Sequence, residues 1–119
     1  MVSDEIKRFL DFVAENKKIY DMASEAMHLE EKKTQDFLHA IEFEVSAKER
    51  SKICTRLHRS RQERRRNKDL VEEREDLVKF FQDPQHKRTL DQLTQLLGRV
   101  RKVEKYHTDR TYYPRVREE

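Results

Sequence analysis

Six arginines, one histidine and one lysine fall within the fourteen positions Arg56–Asp69. Guanidinium groups at this density can neutralise the phosphates of a nucleic-acid backbone. Gln62 and Asn67 stand among them and carry the amide groups that read base edges. The candidate contact set is Arg56, Arg59, Arg61, Arg64, Arg65, Arg66 and Lys68. The same run serves equally well as a solvated helix face whose cations pair with glutamates. No helix-turn-helix, zinc-finger or basic-zipper pattern surrounds it. The tail carries Arg110, Tyr112, Tyr113, Arg115 and Arg117. Its tyrosines could stack on bases, or Tyr112, Tyr113 and Arg115 could strap a helical core.

Other chemistries find less support. Glu25/His28, Asp36/His39 and Glu104/His107 have the i, i+3 spacing that di-iron bundles use. A chain this rich in glutamate produces such pairs by chance, and the pattern implies no metal site and no cofactor. His58 and His86 read as surface residues. No nucleophile–base set, paired acids or phosphate loop stands out, so the reading is non-enzymatic. Cys54 is the single cysteine. It forms no internal disulfide and reads as a small buried side chain beside Ile53, in a reducing compartment.

The elements that position these residues follow from composition. Of 119 residues, 43% are charged and 34% hydrophobic, with one glycine and two prolines. Turn-forming residues are scarce and strong helix formers abundant, which predicts an all-α chain of long helices. Charge is distributed in blocks. Residues 1–49 hold 7 basic and 12 acidic side chains, and residues 50–69 hold 9 and 2. Residues 70–83 hold 2 and 5, and residues 84–119 hold 9 and 5. Blocks of alternating sign can pair with one another inside one molecule. No apolar run approaches membrane-spanning length, and the opening MVSDEIKRFLDF lacks the apolar core of a signal peptide.

Helix one is expected over about 3–44, with Ser3 as its capping hydroxyl and Asp4 and Glu5 in its first turn. Ile6, Leu10, Val13, Tyr20, Met27, Phe37, Leu38 and Ile41 supply a stripe at three-and-four spacing. Lys32–Asp36 interrupts it and could break the helix. Ser46–Glu49 reads SAKE, a capping box, and starts helix two over about 46–82. Asp83-Pro84 ends that helix and caps a third over about 84–107. Helix three carries Leu90, Leu93, Leu97, Val100 and Val103 on one stripe, and Gly98 there could mark a close helix contact. Residues 1–107 thus form one elongated three-helix domain, and 108–119 an irregular arm.

A fold-back centred near Val45 makes the first two helices an antiparallel, coiled-coil-like hairpin. It sets Leu38 opposite Ile53, Tyr20 opposite Val71, Val13 opposite Val78 and Leu10 opposite Phe81. It also sets the arginine run beside Glu25, Glu30 and Glu31. Six arginines outnumber three acids, so part of the positive charge should remain exposed. Helix three is expected to pack at the open end, where the hairpin is richest in apolar residues. So elongated a chain should assemble as a homo-oligomer such as a dimer.

Several stretches together resemble small helical proteins encoded by phages and prophages of Gram-positive bacteria. They are DFLHAIEF (Asp36–Phe43), KERSKICTRL (Lys48–Leu57), RQERRRNKDLVE (Arg61–Glu72), QLLGRVRKVEKY (Gln95–Tyr106) and RTYYPR (Arg110–Arg115). The resemblance implies an accessory binding protein, cytoplasmic in the host cell, and supplies no catalytic residues. Such a protein would occupy a surface of host or phage machinery. An inhibitor of a bacterial defence complex, such as an anti-CRISPR protein, is one concrete form. Glu25, Glu30, Glu31, Asp36, Glu42 and Glu44 would then present an acidic face to a protein partner. Direct nucleic-acid binding through Arg56–Lys68 is the alternative.

Overall fold

A computed structural model describes residues 1–111, which form three helices and no strand. Helix α1 spans Val2–Phe43, α2 spans Ala47–Gln82 and α3 spans Pro84–Asp109. The long axes measure 103 × 32 × 15 Å, with a radius of gyration of 26.5 Å. A compact chain of this length has a radius near 13–14 Å, so the molecule is a rod. Helix α1 runs unbroken through Lys32–Asp36. The lysines, glutamine and acid there are adequate helix formers, so a weak apolar stripe does not interrupt the backbone ladder.

The boundaries have local causes. The Ser46 hydroxyl accepts from the Glu49 amide at 3.4 Å and caps α2. Only that half of the capping box forms. The Ser46 amide donates to the Glu44 carboxylate at 3.1 Å, and Glu49 turns to Lys52 at 3.2 Å. Asp83 accepts from the Gln85 amide at 2.9 Å with Pro84 beside it, which caps α3. Ser3 is not the cap of α1. The helix begins one residue earlier, which frees the Ser3 hydroxyl to reach α3. Helix α3 extends through Asp109, past the expected end near Tyr106 or His107, because no proline or glycine stops it before Pro114.

The hairpin is antiparallel. Cross-helix couples include Phe9 with Phe81 and Glu30 with Ser60, within one position of the expected register, and Arg64, whose long side chain reaches Glu31. From Ile53 the inward positions of α2 alternate steps of four and three: Leu57, Ser60, Arg64, Asn67, Val71, Arg74, Val78 and Phe81. That 3.5-residue period is what keeps two long helices in contact. At the open end Leu10, Val13, Val78 and Phe81 line one apolar cavity of about 360 Å³. At the turn end the inward residue of α1 is Phe37, half-buried, while Leu38 is 54% exposed. One position of slip rotates a helical side chain by about 100°, enough to move Leu38 off the seam. The same rotation carries Cys54 away from Ile53 and into solvent, where it is exposed rather than buried.

Polar layers fill the middle of the seam. Glu30 is buried and accepts from the Ser60 hydroxyl. Arg74 sits half-buried, with one guanidinium nitrogen donating to the Leu70 carbonyl at 3.2 Å and its Nε without a partner among the described residues. Helix α2 therefore relies on propensity and on same-helix ion pairs. These include Glu75–Lys79 at 2.8 Å and Glu63–Arg66 at 3.0 Å, solvent-exposed pairs at helix-supporting spacing.

Helix α3 docks at the open end. Its Leu90 lines the apolar cavity and Leu97 is buried, while Leu93 and Val100 are half-buried and Val103 is exposed. It passes the first turns of α1 and is fastened there by Glu104. One carboxylate oxygen accepts from the Ser3 amide at 2.9 Å, and the other from the Ser3 hydroxyl at 2.6 Å. Gly98 does not mark a close approach: a Cβ there would meet nothing within 4 Å. His86 is half-buried rather than a plain surface residue. Its ring stacks on Phe80 at 3.8 Å, which braces the α2–α3 corner.

Candidate functional site

Helix geometry spreads consecutive arginines around α2, so the run divides. Arg61, Arg64, Arg65 and Lys68, together with His58, line one open groove of about 500 Å³ along the side of the hairpin. Arg56, Arg59 and Arg66 do not line it and are exposed elsewhere on α2. The sequence set is thus two groups, of which one converges.

The charges in the groove are unequal in availability. Arg64, an inward position of α2, reaches across to α1 and donates to the Glu31 carboxylate at 2.8 Å. That hydrogen bond and the guanidinium charge hold the Glu31 carboxyl below its ordinary pKa. Lys68 lies 3.9 Å from Glu72, which together with Asp69 closes one end of the groove. Among the described residues Arg61 and Arg65 have no carboxylate partner, and nor do Arg56 and Arg59. The surface is therefore patterned: two uncommitted guanidiniums flank a bridged arginine, with an acidic end beyond them.

The acidic set on α1 divides as well. Glu30 is turned inward to Ser60, with Lys33 at 3.3 Å, and is not part of an outer face. A carboxylate on the seam of α1 has nowhere else to point. Glu31 is engaged by Arg64, and Glu44 is half-buried and accepts from Ser46 in the turn. Glu25, Asp36 and Glu42 remain exposed. Tyr112, Tyr113 and Arg115 lie outside the described residues. Of the Glu/Asp–His pairs, Glu104 is used by Ser3, and His28 lies 3.8 Å from Glu31. Among the described residues no group of three or more His, Cys, Asp or Glu side chains converges, and no helix is long and apolar enough to cross a membrane.

Reading the sequence for cations missed one surface feature, the apolar outer stripe of α1. Phe12, Met22 and Leu29 are 51%, 61% and 53% exposed. Their spacing was the available signal, hidden by the stronger seam that runs beside it.

Fold and surface together define an all-α helical-hairpin protein with a charge-patterned side groove. Comparison with protein-family models, curated proteins and solved structures finds no match to this chain.

Proposed function

We propose that the chain is a non-enzymatic binding protein that occupies a surface of host or phage machinery, with the α2 groove as its contact. The observation that supports this is the mixed charge of the groove. Phosphates present one sign of charge, and a surface built for them is basic along its length. Here the Glu31–Arg64 bridge lies between the uncommitted Arg61 and Arg65, and Arg65 is followed along α2 by Lys68 and the acids Asp69 and Glu72. Such alternation fits a protein surface of complementary pattern, where charge selects the partner and the register. The resemblance to phage accessory proteins makes host or phage machinery the class of partner, and inhibition of a bacterial defence complex its concrete form. The exposed Glu25, Asp36 and Glu42 would meet basic elements of the same partner.

The test compares wild type with Arg61→Glu/Arg65→Glu. Affinity capture from phage-infected cells should recover a protein that the double variant no longer retains. The second reading, nucleic-acid binding, draws on the same convergence of four cations. Saturable binding of a labelled duplex or single strand, falling steeply with salt and abolished by Arg61→Ala/Arg65→Ala, would replace the first reading with the second.

A further inference from the structure

We propose that the outer stripe of α1 is a self-association surface, on which two copies of the chain pack antiparallel about a two-fold axis. Phe12, Ile19, Met22, Ala26 and Leu29 recur at steps of seven, three, four and three. The row keeps a 3.5-residue period, with exposed Glu15 at its one polar position, on a helix whose first seam already faces α2. Helix α3 covers a different flank, the one bearing Ser3 and Leu10. Among the described residues Phe12, Met22 and Leu29 are left exposed, while Ile19 and Ala26 are half-buried. Isolated exposed apolar residues are ordinary on protein surfaces, whereas a row repeating at helix-packing period is an interaction signal.

The occupant is set by charge. Along one edge of the stripe stand Asp11, Lys18, Glu25 and Lys32, one heptad apart and alternating in sign, all exposed. Antiparallel helices pack in layers. When Ile19 lies on Met22 of the second copy, Phe12 lies on Leu29 of the second copy, and the two-fold repeats both layers. The same placement sets Lys18 beside Glu25 of the second copy and Asp11 beside Lys32 of the second copy. Each couple occurs twice and each is of opposite sign. A parallel arrangement yields none of these pairings. Such flanking charges choose partner and orientation in paired helices. Among the described residues Lys18, Glu25 and Lys32 form no ion pair within the chain, and Asp11 pairs only with Lys7 at 3.2 Å. Arg8 and Lys33 bound the stripe, each paired at 3.3 Å with a glutamate of its own helix. A contact of one patch with itself is isologous and closes at two copies.

The experiment uses the full chain. Sedimentation equilibrium of wild type should give twice the chain mass of 14.6 kDa. Lys18→Glu sets like charges against each other at two places, and so does Glu25→Lys. Each single variant should weaken the dimer at least about tenfold, which is about 1.4 kcal/mol, with helicity by circular dichroism unchanged. An equimolar mixture of the two variants should restore the dimer, because a Lys18→Glu chain paired with a Glu25→Lys chain regains opposite charges at both couples. The double variant Lys18→Glu/Glu25→Lys should restore it alone. Wild type that stays monomeric up to about 100 μM, a concentration that reveals any association tighter than about −5.5 kcal/mol, overturns the proposal. A dimer indifferent to both single changes, or a monomer whose stripe is occupied by a helix of a different protein, overturns it equally. None of these residues lines the α2 groove, and Lys18 lies outside the acidic set offered to the groove's partner, so Lys18→Glu reads the dimer independently of that partner.

Discussion

At the open end of the hairpin, Val13 and Val78 are buried and Phe9 meets Phe81 edge-on at 6.3 Å, with α3 laid over them. About 25 Å along the same seam, at 1.5 Å per residue, the inward positions hold Glu30, Ser60 and Arg64. The period is identical, and the content is opposite. The apolar end supplies most of the free energy of association, since burying apolar surface is the dominant favourable contribution. The polar middle supplies little net energy, because each hydrogen bond there replaces one to water. It does supply alignment: a slip of one heptad would separate Glu30 from Ser60 and leave a carboxylate inside the seam. The comparison teaches that this rod is held together at one end and kept in register in its middle.

The largest expected effect breaks the comparison at its strong end. Phe81→Ala removes a half-buried ring that contacts both Phe9 and Phe80, the latter at 5.0 Å. It should cost about 2–3 kcal/mol, toward the lower limit for aromatic truncations because the site is not fully buried. Urea unfolding followed by circular dichroism measures it. A loss below about 0.5 kcal/mol, the level of an ordinary surface change, would show that the open end is not the stabilising region.

The next effect sharpens the middle. Ser60→Ala leaves the buried Glu30 carboxylate without its cross-helix donor and should cost about 1–3 kcal/mol. Replacing both, Glu30→Leu/Ser60→Ala, removes the unsatisfied group together with its partner. The double variant should return to wild-type stability or exceed it. Its urea midpoint compared with the single variant reads the coupling directly. Equal losses in the single and double variants would mean that the pair contributes ordinary packing rather than alignment.

A smaller effect, of opposite sign, lies on α3. Gly98 is exposed in mid-helix, and a methyl there meets nothing within 4 Å. Gly98→Ala should raise stability by about 0.4–1 kcal/mol through helix propensity and the unfolded chain. Thermal melts detect this as a rise of a few degrees. A destabilising result would mean that another chain closes on that face.

The helix boundaries were legible because their signals are local: Ser46, and Asp83 with Pro84, act through atoms one to three residues away. The seam was legible through its period, and the fold-back register through the matching of Val13 with Val78 and of Leu10 with Phe81. Facing was less legible where two apolar residues are adjacent. Phe37 and Leu38 are equally hydrophobic candidates, and only the accumulated phase of the 3.5-residue repeat selects one. Ser3 was read as a cap because serine commonly is one, whereas its partner lies 101 residues away on Glu104. The division of the arginine run was hidden for a related reason. Arginine side chains are long, and whether Arg64 reaches Glu31 depends on the spacing of two helices rather than on its neighbours in sequence.

The smallest expected effect tests whether α3 belongs to the strong end by packing alone or also by Ser3–Glu104. The Ser3 hydroxyl, then the Ser3 amide, hold the Glu104 carboxyl below its ordinary pKa of 4.5. A carboxyl whose pKa is lower in the folded state binds fewer protons there than in the unfolded chain. Its contribution is therefore complete above the unfolded value and is lost as pH falls through the folded one. Protonation removes the negative charge that both Ser3 donors favour, so α3 should loosen from the first turns of α1 in that acid window. The hairpin seam distant from Ser3 should not respond. A spin-label pair joining α3 to α1 reports this as a distance that broadens between neutral and acid pH, while a pair spanning α1 and α2 near the turn reports none. Ser3→Ala, which deletes the hydroxyl and keeps the amide, should move the broadening toward higher pH, because the carboxyl returns part of the way to its ordinary value. A midpoint unmoved by Ser3→Ala would assign the docking of α3 to Leu90 and Leu97 alone.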